Sequence, residues 1–357
     1  MRRIMGITQS AFDPASRFRF IQFIPHLRKC GWEVDHRPNR PDRQWTSPLR
    51  SRLGRALHYR AGRAAMTLNR VRDVLSSGQH DVVFSNRDLA GSGLLCEKLL
   101  KRIRPQFVYD FDDAIFVGRN EPAVRWMCRQ AGWVTPGNDY LADYARQHTG
   151  RVTVIPTVID TDHYVARDPE RPDAHGRVRV GWSGSDQSIQ TTLGPHLRLL
   201  AALQAKVDFE LVVITNTKPC LTVPNLRWSY LPWRADEEPF LEKCFDIGIM
   251  PLANDAFQKG KCGLKLLQYM AAGLPTVGSP VGVNRQIVQS GITGLLAETA
   301  SDWHQALETL IQDGSKRRAF GCAGRRRCEQ HYSIRRWLPV LLEIFQSVVK
   351  TGRNVHN

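Results

Sequence analysis

Short apolar stretches with the length of buried strands alternate with helical patterns along most of this chain of 357 residues. The strand candidates include RRIMGIT, HDVVFSN, RVTVIPT, FELVVITN and FDIGIMPL, and helical periodicity fills most of the intervals between them. Such alternation is typical of βαβ units, in which crossover helices place parallel strands side by side. It therefore predicts an α/β fold built from doubly wound parallel sheets.

The length of the chain indicates two domains, because one hydrophobic core stops growing at roughly 250–300 residues. Prolines and charges replace the periodic pattern at 156–176. We expect a first Rossmann-like domain at 1–160, a linker at 161–176 and a second Rossmann-like domain at 177–335. Residues 336–357 are predicted to form a helix and tail that return to the first domain. Sheets of this type bind ligands at the carboxyl ends of their strands.

The charge balance indicates an anionic partner. Fifty basic residues against thirty-four acidic ones give a formal net charge of +16, which suits nucleic acid, a lipid surface or a phosphorylated ligand. No run approaches the ~18 apolar residues of a membrane span, and no signal-peptide pattern is present. The eight cysteines lack metal-ligand spacing, which favours free thiols in a reducing compartment. We expect a cytoplasmic protein, either soluble or peripheral on the inner face of a membrane.

The stretch 37–75 departs from the βα pattern, because apolar residues beginning at Leu49 keep a helical spacing while arginines crowd the remaining positions. One interpretation is a solvated helix packed on the first domain. The other is a surface for an anionic membrane or an anionic acceptor. The basic residues assigned to that surface are Arg52, Arg55, Arg60 and Arg63, with Arg50, Arg70 and Arg72 beside them.

The segment GKCGLKLLQYMAAGLP, residues 260–275, places two lysines at the start of a short predicted helix. We expect this helix at about 264–272, ended by Gly273. A helix N-terminus already carries about half a positive charge. Lys261 and Lys265 are therefore unfavourable there unless an anion binds. Surface lysines in water are the alternative, but the flanking glycines favour a phosphate or pyrophosphate site.

The same residues, with DIGIMPL before them and TVGSPVGVNRQIVQSGITGLL after them, resemble the nucleotide-sugar domain of retaining glycosyltransferases of family 4, in their bacterial type. VTVIPTVIDTDHY is similar to the interdomain crossing of that family, and RRAFGCAGRRRCEQHYSIRRWLPVLLEIF is similar to its terminal helices. The resemblance covers roughly residues 80–357. It implies the GT-B fold, with two Rossmann-like domains facing a central cleft. It also implies hexosyl transfer from a nucleoside-diphosphate sugar to a glycan or lipid-linked acceptor.

By this resemblance, Lys261 and Lys265 match the basic pair that neutralises the leaving nucleoside diphosphate. Gln268 stands where the family usually has the second of two glutamates, which holds the ribose. The first glutamate would fall near Gly260, where the chain has no acid. For Trp233, a buried core position is the alternative to stacking on the base. The other donor-binding candidates are Gly260, the N–H and hydroxyl donors of Ser183, Gly184 and Ser185 for phosphate, Leu231 and Trp233 for the base, the amides of Gly282 and Val283 for phosphate or sugar, and Asn284 for a sugar hydroxyl.

The strand VYDFDDAIF ends in acids where relatives often carry a histidine. The resemblance places Asp112 and Asp113 beside the reacting sugar, where carboxylates can orient hydroxyls or accept the proton of the acceptor. Capping of the following helix is the alternative. The Asp-Phe-Asp run also resembles a metal motif of the other glycosyltransferase fold. We nevertheless expect no metal and no cofactor, because the two lysines already supply positive charge. Arg87 ends the neighbouring strand.

Other functions stay open beside glycosyl transfer. A nucleotide-sugar epimerase of the same fold requires a general base, for which no matching block is present. A nucleotide-binding protein without transferase activity is favoured by the missing glutamates. A nucleic-acid binder has only the charge in its favour, since no RNA- or DNA-binding motif is present. We therefore expect no nucleic-acid partner.

Overall fold

The computed structural model describes residues 2–40, 51–89, 94–104, 106–168 and 176–354. They form two compact units, one of Met1–Thr157 with Trp337–Asn357 and the other of Val158–Arg336. Leu49, Arg50 and residues 169–175 of the predicted linker lie outside the described residues.

The first unit contains a five-stranded parallel sheet in the order β2-β1-β3-β4-β5. Its strands are β1 (Arg2–Thr8), β2 (Trp32–Pro38), β3 (Val82–Asn86), β4 (Val108–Phe111) and β5 (Trp133–Pro136). Its helices before the chain enters the second unit are α1 (Pro14–Arg19), α2 (Ile24–Lys29), α3 (Arg52–Ser76), α4 (Leu95–Ile103), α5 (Glu121–Gln130) and α6 (Asp139–Arg146).

The second unit contains a six-stranded parallel sheet in the order β11-β10-β9-β6-β7-β8. Its strands are β6 (Val178–Ser183), β7 (Phe209–Thr215), β8 (Trp228–Pro232), β9 (Ile247–Met250), β10 (Thr276–Gly278) and β11 (Gly294–Leu296). Its helices are α7 (Asp186–Ser188), α8 (Leu197–Gln204), α9 (Ala256–Lys259), α10 (Leu264–Ala271), α11 (Asn284–Ile287), α12 (Ala300–Gln312) and α13 (Gly314–His331). The last helix, α14 (Ile334–Asn354), belongs to the first unit from Trp337 onward. Two parallel sheets flanked by helices confirm the predicted α/β fold class.

The last helix packs its apolar side into the first unit. Phe345 of α14 contacts Trp32 and Phe84 edge-on, with ring centroids 6.1 Å apart in both pairs. Phe84 also stacks on Phe20 at 5.0 Å. Gly6 is required beneath this cluster, because a Cβ atom at that position would lie 1.9 Å from the Phe20 ring. The C-terminal helix thus completes the core around β1 and β3.

Two segments differ from the sequence-based expectation. RVTVIPT does not form a regular strand: Val152 makes one isolated bridge to Val134, and its neighbours run beside β5 through a few backbone bonds. Pro156 shortens this edge because it has no N–H to donate. The second unit begins at Val158, within the predicted first domain and ahead of the predicted linker. Ile159 exchanges backbone hydrogen bonds with Tyr332 and Ile334.

No helix within the described ranges combines the length and the apolar character needed to cross a bilayer. This observation agrees with the sequence, which contains no sustained apolar run.

A buried ion pair fixes the strand ends of the first unit. The side chains of Arg19 and Asp110 are each 2% exposed, and two guanidinium nitrogens donate to the carboxylate at 2.6 and 3.1 Å. Asn86 and Thr135 also donate to the carboxylate, at 2.9 and 2.8 Å. The guanidinium gives its remaining bonds to the carbonyls of Ile155 and Thr135. This network therefore joins α1, β3, β4, β5 and the segment after α6.

We expect Asp110→Ala to lower the free energy of unfolding of the first unit by roughly 3–5 kcal/mol, because Arg19 would keep a buried, uncompensated charge. Urea unfolding followed by hydrogen exchange at the amides of β4 measures this change. Asp143→Ala is the matched control, since the Asp143–Arg146 pair is exposed and worth about 0–1 kcal/mol. Equal losses in the two variants would contradict a structural role for the buried pair.

Candidate functional site

Helix α10 begins at the carboxyl edge of the second sheet. It spans Leu264–Ala271, one residue shorter than predicted, and Gly273 follows it with a φ of +68° as expected for the residue after the C-cap. Gly263 is the N-cap with a φ of +69° and offers no capping side chain. Helix geometry leaves the first amides without an intrahelical acceptor. The first turn contains no acidic residue and contains Lys265.

Lys265 extends over the carboxyl end of β6. Its Nζ lies 5.3 Å from the centroid of the buried Trp182 ring. Gly184 makes room for it, because a Cβ atom there would lie 3.1 Å from the Lys265 Cε and 2.5 Å from the Trp182 ring. Lys261 precedes the helix and places its Nζ 4.8 Å from the Phe257 ring centroid. The structure thus brings Lys265 and the end of β6 together, as the phosphate-site prediction requires.

The turn after β6 offers fewer donors than the sequence suggested. The Ser183 amide already donates to the Tyr269 hydroxyl at 3.0 Å, and the Gly184 amide donates to the Ile214 carbonyl at 3.0 Å. The hydroxyl of Ser185 caps α7 by accepting from the Ser188 amide. The expectation that the amides of Ser183 and Gly184 are available to a phosphate is therefore wrong, because the fold uses both.

Gln268 lies in a buried polar chain that the sequence did not predict. Its Nε2 donates to the Tyr164 hydroxyl at 2.9 Å, and that hydroxyl donates to Glu238 Oε1 at 3.0 Å. The indole N–H of Trp233 donates to the other oxygen of Glu238 at 2.9 Å. Trp233 is half-buried, so the alternative of a fully buried core position is wrong. Leu231 is also half-buried, in β8.

The loop after β10 packs closely against the segment that precedes α10. Gly282 has a φ of +53°, and a Cβ atom there would lie 2.5 Å from the Lys259 carbonyl oxygen. Gly260, also buried, ends α9 by donating to the Phe257 carbonyl. Val283 is buried as well. These contacts hold the loop after β10 against the segment before α10, and Val283 is buried between them and the rest of the unit.

Asn284 does not project to the surface. It is fully buried, and its Nδ2 donates to the Ser279 carbonyl at 3.0 Å. Its Oδ1 has no hydrogen-bond partner in the described part of the chain and lies 3.6 Å from the position a Cβ atom would take on Gly263. The expected direct bond from Asn284 to a sugar hydroxyl conflicts with this burial. The side chain instead supports the loop beside the start of α10.

The predicted acids of the first unit are paired with Arg87. Arg87 Nε donates to Asp112 at 2.9 Å, and one terminal nitrogen lies 2.8 Å from Asp112 and 2.6 Å from Asp113. Burial lowers the pKa of Arg87, but the two carboxylates outweigh it and the net pKa is raised. Arg87 has a φ of +61°, a strained left-handed conformation for a non-glycine residue.

The pairing removes the capping alternative for the two aspartates. Helix α5 begins at Glu121 with Asn120 as its N-cap, several residues beyond Asp113. The carboxyl ends of β3 and β4 thus carry a strained arginine between two partly exposed carboxylates. Among the described residues, no group of three His, Cys, Asp or Glu side chains has a metal-binding arrangement.

Comparison with known proteins gives a consistent picture. Residues 191–313 match the family model described as Glycosyl transferases group 1. A curated D-inositol 3-phosphate glycosyltransferase from Corynebacterium aurimucosum is 36% identical over 214 residues, which cover 52% of this chain. The match spans 42% of the length of that relative.

Solved structures resemble the whole chain. Sucrose-phosphate synthase from Thermosynechococcus elongatus superposes with a TM-score of 0.68 at 17% identity, covering 100% of this chain and 99% of its own. Anabaena Alr3699/HepE, crystallised with UDP and glucose, superposes with a TM-score of 0.65 at 16% identity, covering 98% and 99%. These findings confirm the GT-B fold and the resemblance to family 4-like glycosyltransferases.

Proposed function

We propose that this GT-B protein, similar to the family 4 glycosyltransferases, is a retaining enzyme that transfers a hexosyl group from a nucleoside-diphosphate sugar. The second unit would bind the donor, and the first unit would bind a glycan or lipid-linked acceptor. The protein would work in the cytoplasm, as a peripheral protein on the inner face of the membrane, and would require no metal or cofactor.

The observation that carries this proposal is the position of Lys265 in the first turn of α10, against Gly184 and Trp182. The amides of that turn and the ammonium group point to one anion, since both place positive charge at the same helix end. A departing nucleoside diphosphate gains negative charge as the glycosidic bond breaks. Lys265, with Lys261 nearby in sequence, would stabilise that charge in the transition state. Binding of UDP by the Anabaena structural neighbour supports a diphosphate at the donor site.

We propose that Gln268 contributes to ribose recognition through the chain that holds it. Its Nε2 is occupied by Tyr164, so the amide carbonyl is the group left to accept a bond from a ribose hydroxyl. The carboxylate of Glu238 stands behind Tyr164 and also orients Trp233. Trp233 and the backbone of Leu231 would contact the base. Relatives usually have a glutamate where this chain has Gln268. Here the negative charge of Glu238 would act on the ribose site indirectly, through Tyr164.

On the acceptor side, Asp112 and Asp113 would bind hydroxyls of the reacting sugars. Arg87 pairs with both carboxylates and fixes where they lie, which favours positioning of a substrate by accepted hydrogen bonds. In a front-face transfer, the leaving phosphate oxygen accepts the proton of the attacking hydroxyl. The acceptor oxygen forms its bond on the face that the diphosphate leaves, so the anomeric configuration is retained. No enzyme nucleophile is then required.

A second candidate is a nucleotide-binding protein of this fold without transferase activity. The neutral, buried Gln268 and the absence of an acid at Gly260 favour it, because both depart from the usual glutamate pair. The epimerase alternative has no structural observation of its own. Release of nucleoside diphosphate from candidate donors, with and without acceptor sugars, separates these functions. A thermal-shift screen of nucleotide sugars identifies the donor beforehand, since a ligand of the folded state raises its stability.

We expect Lys265→Ala to weaken nucleoside diphosphate binding by roughly tenfold to a hundredfold, since a hydrogen bond to a charged group is worth about 1.5–3 kcal/mol. Titration calorimetry with UDP and other nucleoside diphosphates measures this affinity. Lys350→Ala removes an exposed lysine of α14 and should leave the affinity unchanged. Equal affinities of the wild type and Lys265→Ala would remove the phosphate-site assignment.

We expect Asp112→Asn and Asp113→Asn to reduce kcat by at least about tenfold while the affinity for nucleoside diphosphate stays within about twofold of wild type, because transition-state contacts affect turnover first. Steady-state kinetics with the identified donor and acceptor measure both quantities. Asp143→Asn is the control, because it removes the same charge from an exposed residue and should leave kcat unchanged. Activity should persist in a chelator, and loss with EDTA that manganese restores would favour a metal site at these acids instead.

A further inference from the structure

Helix α3 exposes the apolar stripe that an amphipathic helix normally buries. Leu53, Leu57, Leu68 and Leu75 are 73%, 56%, 63% and 57% exposed. At 100° per residue they fall within an arc of about 60° on one side of the helix. Exposed alanines continue the same stripe between Leu57 and Leu68, at Ala61 and Ala64. A continuous apolar face this long is unusual on a protein surface and marks a contact site.

The opposite side of α3 is anchored by an arginine. Arg70 is 1% exposed and donates to the carbonyls of Thr8, Arg37 and Leu89 at 2.7, 3.1 and 3.0 Å. It also pairs with Asp73 at 3.2 Å. Burial lowers the pKa of Arg70 to about 10. The expectation that Arg70 belongs to the basic surface is therefore wrong, and its burial fixes which side of the C-terminal part of α3 packs on the first unit.

The exposed surface of α3 is strongly basic. The sequence contains no acid between Asp42 and Asp73, and Asp73 is itself half-buried against Arg70. At 100° per residue, Arg60 lies about 20° before Leu53 and Arg72 lies about 40° beyond Leu68, so a basic residue stands at each margin of the leucine stripe. Arg52, Arg55 and Arg63 are also exposed and lie further round the helix, about 80–160° from Leu53.

We propose that α3 is a membrane-docking helix that lies flat on an anionic bilayer, with its leucine stripe inserted and its arginines against the phosphate headgroups. Leucines partition into the apolar boundary, and basic side chains at that depth contact lipid phosphates. A second copy of the chain fits this surface poorly, because two such helices would bring like charges together. A nucleic acid would use the arginines but would leave the leucines in water. The bilayer satisfies both features at once.

This inference rests on the proposed function only for its purpose, which is to bring the enzyme to a lipid-linked acceptor. Its test requires no transfer reaction. The full chain is mixed with vesicles of phosphatidylcholine alone, or of phosphatidylcholine with phosphatidylglycerol, and the bound fraction is measured by flotation. We expect binding only to the anionic vesicles. The binding should weaken as salt rises, since exposed charges are screened beyond about 8–10 Å at physiological salt.

Two variants separate the two features of the helix. Changing Arg52, Arg55, Arg60 and Arg63 together to Gln should reduce the partition coefficient by several hundredfold, roughly fivefold per arginine. Changing Leu53, Leu57 and Leu68 to Ser should reduce it by roughly tenfold or more while the salt dependence remains, because the arginines are kept. The matched control changes exposed arginines elsewhere, Arg129, Arg146, Arg151 and Arg326, to Gln and should bind almost as wild type.

The outcomes distinguish the competing explanations. Wild type that ignores anionic vesicles at low salt overturns the proposal. Equal loss in the α3 arginine variant and the control would mean that net charge, and not this helix, drives binding, which also overturns it. Loss in the arginine variant with none in the leucine variant would mean that the helix binds the headgroups by charge alone, which overturns insertion of the leucine stripe. Affinity for nucleoside diphosphate, measured in parallel, should be unchanged in every variant. Wild type that binds vesicles but no nucleotide would remove the proposed function and leave the docking helix standing.

Discussion

The Arg19–Asp110 pair is the contact on which the strand ends of the first unit depend. One fully bonded carboxylate in the middle of β4 receives hydrogen bonds from α1, β3 and β5, and therefore fixes three neighbouring elements at one level. Buried charges tolerate little displacement, because a lost partner leaves an unsolvated ion. Asp112 and Asp113 follow Asp110 by two and three residues, so their position relative to Arg87 is set by the same network. The carboxylates of the proposed acceptor site therefore directly follow a strand that this network holds in place.

In the second unit, close packing between the sheet and α10 fixes the position of the candidate site residues. Gly181 and Gly248 have no side chains, and a Cβ atom at either would lie about 2 Å from the rings of Phe245 and Tyr269. Tyr269 can therefore approach the sheet, and its hydroxyl accepts the Ser183 amide at the end of β6. Tyr269 lies one turn after Lys265 on α10, so this bond also fixes where the lysine lies. Because the Ser183 amide donates to Tyr269, the proposed phosphate site relies on the amides at the start of α10 and on Lys265.

Local patterns predicted most of the elements but few of the partners. The strands and the bounds of α10 follow from apolar spacing, Gly263, Gly273 and Pro275, all of which act over a few residues. No local pattern indicates the contact between Tyr164 and Gln268. The two residues are more than a hundred positions apart in the chain, and only the fold brings them together. Arg70 shows the same limit, because its charge predicted exposure, whereas in the fold it is buried and donates to three backbone carbonyls. RVTVIPT has strand composition, yet its proline and edge position leave only a bridge.

Arg70 also links the proposed membrane helix to the proposed acceptor site. Its Nε donates to the carbonyl of Leu89, which lies two residues after Arg87. Another of its nitrogens holds the carbonyl of Thr8 at the end of β1. The helix that would rest on lipid is therefore tied, through one buried side chain, to the strand ends that carry Arg87, Asp112 and Asp113. An acceptor held in the bilayer surface by its lipid would meet those carboxylates at a height fixed by α3. Docking would then restrict where an acceptor hydroxyl can approach, in addition to concentrating the enzyme at the membrane.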